Sequence, residues 1–272
     1  MTLSARTTFL RWFRDLAGPL LGVAFPAGCR LCDRRLLNAS RLPVCDLCLS
    51  SFKRLTAELC PLCGQALAPG EMLGEESDLC RGCQEQRYAF SVARSFGVYR
   101  DVLVRAILLL KYERVDPLGD WFAKRLAELI NSEPGLLNAD VIVPVPLHRF
   151  RQKERGFNQV DLFGRPLARL LKLPYRPVLL VRERPRPEQH LLRIDERWEA
   201  VRGAFAIQKG LRVDNLRVLL LDDVMTTGAM LDACSRALRE AGAESVLGLT
   251  IARALPTSNF ASGERITQLG AP

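Results

Sequence analysis

Long apolar runs are missing from this 272-residue chain: nothing reaches the roughly 18 residues a bilayer-spanning helix needs, so a membrane span is not expected. No internal repeat appears beyond a recurring cysteine spacing, so a solenoid or propeller is not indicated. Acid is also in short supply, with 30 Asp and Glu against 39 Lys and Arg, a formal charge of +9. From Val141 to Phe205 there are fourteen basic and seven acidic residues, so +7 of the +9 lies in that stretch. Such a bias suits an anionic partner, whether phosphate, polyanion or nucleic acid, without choosing among them. Otherwise the composition, 48% hydrophobic and 25% charged, is that of an ordinary globular protein with ample chain for a core.

Cysteine is what the chain has in a telling pattern. Eight of its nine cysteines form four Cys-x-x-Cys pairs: Cys29/Cys32, Cys45/Cys48, Cys60/Cys63 and Cys80/Cys83. Two intervening residues let both thiolates of a tight turn point at one ion, and two such turns complete a tetrahedron. Two structural Zn²⁺ sites are therefore expected. Sequential quartets (Cys29, Cys32, Cys45, Cys48 and Cys60, Cys63, Cys80, Cys83) need only short loops, although spacing also permits interleaved pairing. A zinc ion held by four thiolates carries about −2, so two would bring the net charge nearer +5. The ninth, Cys234, shares a helical face with Leu231, Leu238 and Ala241 and reads as a core thiol.

Residues 1–25 invite comparison with a secretory leader, since Arg11 and Arg14 precede LAGPLLGVAFPAGC. Gly18, Pro19 and Pro26 interrupt the apolar run, and lipidating Cys29 would remove a metal ligand. The expectation is an amphipathic helix, with Phe9, Leu10, Phe13 and Leu16 on one face, in a protein of the reducing cytoplasm. A zinc-ribbon module follows at 26–88, then an α/β domain at 89–255 and a disordered tail at 256–272.

Within the α/β part, the patterning predicts a strand or a pair of short strands in Phe90–Tyr99 and helices over Asp101–Tyr112 and Pro117–Asn131. A strand at Asp140–Val145 follows, then a helix over Phe157–Leu171 that Pro166 should break or kink. Further strands are predicted at Pro177–Val181, Arg217–Leu221 and Ser245–Ala252, with a helix from Gly228 to Ala241. Alternation of this kind implies βαβ units and a parallel sheet with helices on both faces.

One junction carries chemistry. VLLLDDVMTTGAML (218–231) runs from an aliphatic strand through adjacent aspartates into Thr-Thr-Gly at a helix start. Amides and hydroxyls of Thr226, Thr227 and Gly228 can ring a phosphate, and two carboxylates one turn away suit the hydroxyls of a ribose. The stretch resembles the ribose-phosphate motif of type I phosphoribosyltransferases. PVPLHRFRQKERGFNQ (144–159) and ILLLKYERVDPLGDWFA (107–123), with the cysteine knuckles upstream, resemble the ComF family over about residues 25–254. These are phosphoribosyltransferase-like proteins associated with natural competence and DNA uptake. ERWEAVRGAF (196–205) follows the family pattern except at Ala200, where an asparagine is expected.

The resemblance implies a type I phosphoribosyltransferase-like fold behind a double zinc ribbon, binding phosphoribosyl pyrophosphate with Mg²⁺. Asp222 and Asp223 would contact the ribose; Val224, Met225, Thr226, Thr227, Gly228 and Ala229 would wrap its 5′-phosphate. Pro146, Leu147, His148 and Arg149 would form the pyrophosphate loop. Arg151, Lys153 and Arg155 would add charge for pyrophosphate or nucleic acid. Arg184 and Arg186 fall in a basic segment, 182–202, that is either a mobile lid or a solvated loop holding His190. Two functions are compatible with this: a phosphoribosyltransferase (a pentosyl transferase of nucleoside metabolism) with an unidentified acceptor, or a non-catalytic nucleotide sensor that binds single-stranded DNA beside the DNA-uptake machinery.

Overall fold

A computed structural model describes residues 28–36, 41–55, 58–67, 79–85, 88–133, 136, 138–184 and 198–255. The expected N-terminal helix, the C-terminal tail, Arg186, His190 and most of the basic 182–202 segment lie outside the described residues. Four strands form a parallel sheet in the order β1 (Val92–Val98), β6 (Ser245–Arg253), β5 (Arg217–Met225) and β2 (Val141–Pro144). A separate antiparallel ribbon pairs β3 (Leu180–Arg182) with β4 (Phe205–Ile207). Two short helices, α1 (Asp46–Ser50) and α2 (Arg81–Glu85), belong to the cysteine region. The rest are α3 (Asp101–Glu113), α4 (Asp116–Ser132), α5 (Arg149–Arg155), α6 (Gln159–Leu171) and α7 (Ala229–Glu240).

Both faces of the sheet are buried, which is why its strands read as continuous aliphatic runs. Leu219 and Leu221 of β5, with Leu247, Leu249 and Ile251 of β6, join one core shared with α3, α4 and α6. Val218 and Leu220 alternate to the other face, against Leu231, Cys234 and Leu238 of α7. Cys234 is fully buried, and burial pushes its thiol well above the ordinary value, as a core position requires.

Four expectations are corrected. The predicted strand ending at Leu221 continues to Met225, because pairing with β6 runs on through Asp222 with Thr250 and Val224 with Ala252. The predicted strand at Pro177–Val181 is displaced to Leu180–Arg182 and lies in the small ribbon, not the parallel sheet. Arg149, expected in the pyrophosphate loop, instead opens a helix: the His148 side chain accepts from the Phe150 amide at its start, and Gly156 (φ 73°) ends it. Finally, α6 runs unbroken across Pro166.

The cysteine region is built against the sheet. Its residues 53–55 lie along the outer edge of β1, where the Val98 amide donates to the Lys53 carbonyl and Leu55 donates to Phe96. Ala93 donates to the Leu62 carbonyl on the same strand. An otherwise open strand edge is thereby covered. Cys29, Leu31, Val44, Cys48 and Phe52 enter the core on one sheet face, and Cys60, Cys63, Cys80 and Cys83 the core on the other.

On the first face α4 and α6 cross at a glycine. A Cβ on Gly119 would lie 2.4 Å from the Leu162 carbonyl oxygen, so the helices touch through backbone there. Gly119→Ala should push them apart and cost about 1–3 kcal/mol, the range typical of overpacking, read as a lower denaturation midpoint with unchanged m-value.

Candidate functional site

The carboxyl ends of β5 and β2 adjoin, and a cavity of about 290 Å³ opens there. Its walls bring together two segments separated by some seventy residues. From the first come Pro146, Leu147, His148, Arg151 and Arg155; from the second come Asp222, Asp223, Val224, Thr226, Thr227 and Ala229. Met225 is buried beneath and Gly228 caps α7, neither lining the cavity. Lys153 and Arg184 are exposed and away from the lining, and the backbone of Arg149 starts α5.

The two aspartates, adjacent in sequence, point to opposite sides of an extended strand. Asp223 is 5% exposed. Its Oδ2 accepts from Gln159 Nε2 at 2.7 Å and lies 3.1 Å from Lys111 Nζ. Asp222 is half-buried, and its Oδ1 accepts the Asp223 amide at 2.8 Å. Burial opposes charge on Lys111, but the Asp223 carboxylate outweighs it and holds the ammonium above its ordinary value. So β5 carries its carboxylate pair into the protein because α3 supplies a cation and α6 a donor.

RGFNQ acquires a physical reason here. Asn158 caps α6 through Oδ1, which accepts the Val160 amide at 3.1 Å, while its Nδ2 donates to the Val145 carbonyl at 3.0 Å. That pins the loop after β2. Gln159, next in line, reaches Asp223, and its Oε1 accepts from Arg155 at 3.3 Å. Arg155 also stacks over the Tyr112 ring, 4.8 Å from its centroid. Lys111, Gln159, Tyr99 and Arg182 were missed as site residues. For the first two the sequence held a signal, since KY and NQ lie inside the quoted family segments.

Thr226–Gly228 form the turn between β5 and α7, and the positive end of that helix borders the cavity. The Thr227 hydroxyl accepts the Ala229 amide at 3.3 Å. Gly228 has φ 83°, and a Cβ there would meet Met225 at 2.9 Å and Tyr88 at 3.0 Å. Tyr88, just after the last cysteine pair, donates its hydroxyl to the Thr227 carbonyl at 3.1 Å. The cysteine region thus props the turn.

The eight paired thiols form the two sequential quartets, each with its ligand atoms within 4.8 Å of one another. Sulfur–sulfur distances are 3.8 Å for Cys29–Cys48, 3.7 Å for Cys32–Cys45, 3.7 Å for Cys60–Cys83 and 3.6 Å for Cys63–Cys80. Thiolates 2.3 Å from a tetrahedral zinc would stand ~3.8 Å apart, so the donor set and spacing fit that ion. Amides support the sulfurs, Cys45 to Cys29 at 3.3 Å and Cys80 to Cys60 at 3.4 Å. Arg253, buried at the end of β6, donates to Cys63 Sγ at 3.5 Å, a cation beside a site that would carry about −2 with zinc bound.

No family model matches the chain. Several curated proteins are similar over most of its length. DNA utilization protein YhgH of Salmonella typhi is 30% identical over 85% of this chain and 98% of that one. Competence protein F of Haemophilus influenzae is 29% identical over 80% and 93%. Competence protein ComFC of Bacillus subtilis is 28% identical over 77% and 84%. Among solved structures, a glutamine phosphoribosylpyrophosphate amidotransferase from B. subtilis overlaps 48% of this chain and 26% of that one, with 24% identity and a TM-score of 0.32. An adenine phosphoribosyltransferase overlaps 55% and 75%, with 19% identity and a TM-score of 0.34. What the sheet and the paired Cys₄ clusters define is an α/β protein with a parallel sheet behind a cysteine-rich module. The chain belongs to the ComF family of competence proteins.

Two outcomes are expected. Purified protein should hold about two zinc ions per chain and Cys60→Ser about one, by elemental analysis, with metal released as acid protonates the thiolates. Lys111→Met should destabilise the fold by about 3 kcal/mol at neutral pH, because it strands a buried carboxylate. Lys111 has a raised value, so the pair contributes fully at neutral pH and is lost only as pH climbs beyond 10.5. Urea titrations of wild type and variant at pH 7 measure the difference.

Proposed function

We propose that this cavity binds phosphoribosyl pyrophosphate with Mg²⁺, and that the protein is a phosphoribosyltransferase of competent cells whose acceptor is a nitrogenous base. One observation carries the reading: an anion-binding turn and a carboxylate-bearing strand end meet a basic helix around a single cavity. Thr226 and Thr227 with the start of α7 suit the 5′-phosphate. Asp222 suits the ribose hydroxyls, with Asp223 behind it, held by Lys111 and Gln159. The 146–148 loop with Arg151 and Arg155 suits the pyrophosphate.

The donor set fits Mg²⁺, a hard ion that pairs one or two carboxylates with substrate oxygens and water. Asp222 would face it, and the chemistry it supplies when bound is neutralisation of pyrophosphate charge. The chain's own part is positioning. Asp222 stabilises positive charge developing at the anomeric carbon, while Arg151 and Arg155 stabilise the departing oxyanion.

A second activity, binding of single-stranded DNA, is favoured by a specific feature of α5. Its sequence RFRQKER places Phe150, 72% exposed, among basic residues. An exposed aromatic ring amid cations is how base stacking and phosphate neutralisation are combined. The curated relatives carry competence and DNA-utilization names, which agrees with such a role. Without turnover, the same two features would make a nucleotide sensor that handles DNA.

Calorimetric titration should give micromolar binding of phosphoribosyl pyrophosphate with Mg²⁺, weakened at least tenfold by Asp222→Asn, about the 1.4 kcal/mol expected of a lost charged contact. Wild-type affinity in that variant would remove Asp222 from the site. Base-dependent pyrophosphate release distinguishes enzyme from sensor. Phe150→Ala with Lys153→Glu should weaken binding of an oligothymidylate and flatten its salt dependence, leaving phosphoribosyl pyrophosphate affinity unchanged.

A further inference from the structure

Arg182 lines the cavity, yet neither family segment nor acidic motif accounts for it. It ends β3 and is 5% exposed. Its Nε donates to the Arg184 carbonyl at 3.1 Å, and its Nη1 meets the Met230 sulfur at 3.7 Å, a weak acceptor. The guanidinium carbon sits 5.1 Å over the Phe205 ring. Nη2 is buried and has no hydrogen-bond partner. Among the described residues no carboxylate forms an ion pair with Arg182.

A buried guanidinium without a counter-charge is costly, and an arginine cannot escape the cost by losing its proton. The neighbouring charges deepen the problem. Burial first, and then the like charge of Arg151, work against the Arg182 cation. Of the cavity's other cations, Lys111 is paired with Asp223 and Arg155 donates to Gln159 and Tyr112, while Arg151 stands beside Arg182 as a like charge. Arg182 lines the same cavity, and its Nη2 is buried with no hydrogen-bond partner among the described residues.

We infer that Arg182 is an anion-binding residue of this cavity, and that a phosphoryl group of the ligand, lying between Arg182 and Arg151, is its missing partner. The surrounding donors support a phosphoryl over a carboxylate. Two guanidinium groups and the hydroxyls of Thr226 and Thr227 border one small space, and only a tetrahedral anion offers oxygens to several sides at once. The inference rests on the cavity being a site for a phosphorylated ligand. It adds that the ribbon of β3 and β4, outside the parallel sheet, contributes a contact from a third side.

Inorganic pyrophosphate and ribose 5-phosphate, each titrated with Mg²⁺ into the full chain, test it against Arg182→Met and Arg182→Lys. Arg182→Met should weaken one of the two at least tenfold, and which one identifies the phosphoryl end that Arg182 holds. Arg182→Lys, which keeps the charge, should recover part of the loss. Ligand-free Arg182→Met should melt no lower than wild type, since it removes an uncompensated buried charge. A variant that binds both probes as wild type does, or whose ligand-free form melts well below wild type or does not fold, overturns the inference and makes Arg182 a structural residue. Failure of wild type to bind either probe sinks the phosphate reading of the cavity itself, a different result from loss in the variant alone.

Discussion

The Asp223 carboxylate, buried at the end of β5 and shared by Lys111 and Gln159, is the contact on which the site depends. It ties three elements, α3, α6 and a central strand, at one oxygen. Burying a lone carboxylate at that depth would be prohibitive, and the pairing makes it tolerable. Once Asp223 is held, its neighbour Asp222 is presented on the other side of the strand at the cavity. Asn158, one residue before Gln159, fixes the loop after β2 through the Val145 carbonyl. The two halves of the cavity are thus positioned by one short polar network, which rigidifies because its members satisfy one another.

The cysteine region does more than cap the chain. It lies along the exposed edge of β1, sends side chains into both cores and places Tyr88 under the Thr227–Gly228 turn. Arg253 joins the second quartet to the end of β6, the strand that pairs with the one carrying the aspartates. A module whose thiol quartets could hold metal is well suited to this, because metal-fixed turns need no large core. The Thr227–Gly228 turn is braced from outside the sheet as well as from within it.

Much of this was legible in the residues. Strand and helix positions in the parallel sheet follow from aliphatic runs and helical periodicity, and the cysteine spacing specified the sequential quartets as the simplest pairing. The strand end at Leu221 was misplaced because propensity disfavours aspartate in a strand, whereas pairing with β6 carries β5 past it. α5 was unread because RFRQKER has no apolar stripe, and its start depends on a histidine cap. The small ribbon was read as part of the sheet because a three-residue strand carries almost no periodic signal.

What the sequence determined by itself was the inventory: eight thiols at metal spacing, an acidic pair before Thr-Thr-Gly, and a basic central stretch. Each is a local pattern, set by turn geometry, strand chemistry or charge, and needs no knowledge of distant residues. The tertiary structure alone decided the partners. Which aspartate faces inward depends on Lys111, more than a hundred residues earlier in the chain, and on Gln159. Arg182 becomes notable only when burial removes it from water without giving it an anion among the described residues. Charge in a chain is a composition, but its cost is set by the neighbours that folding brings to it.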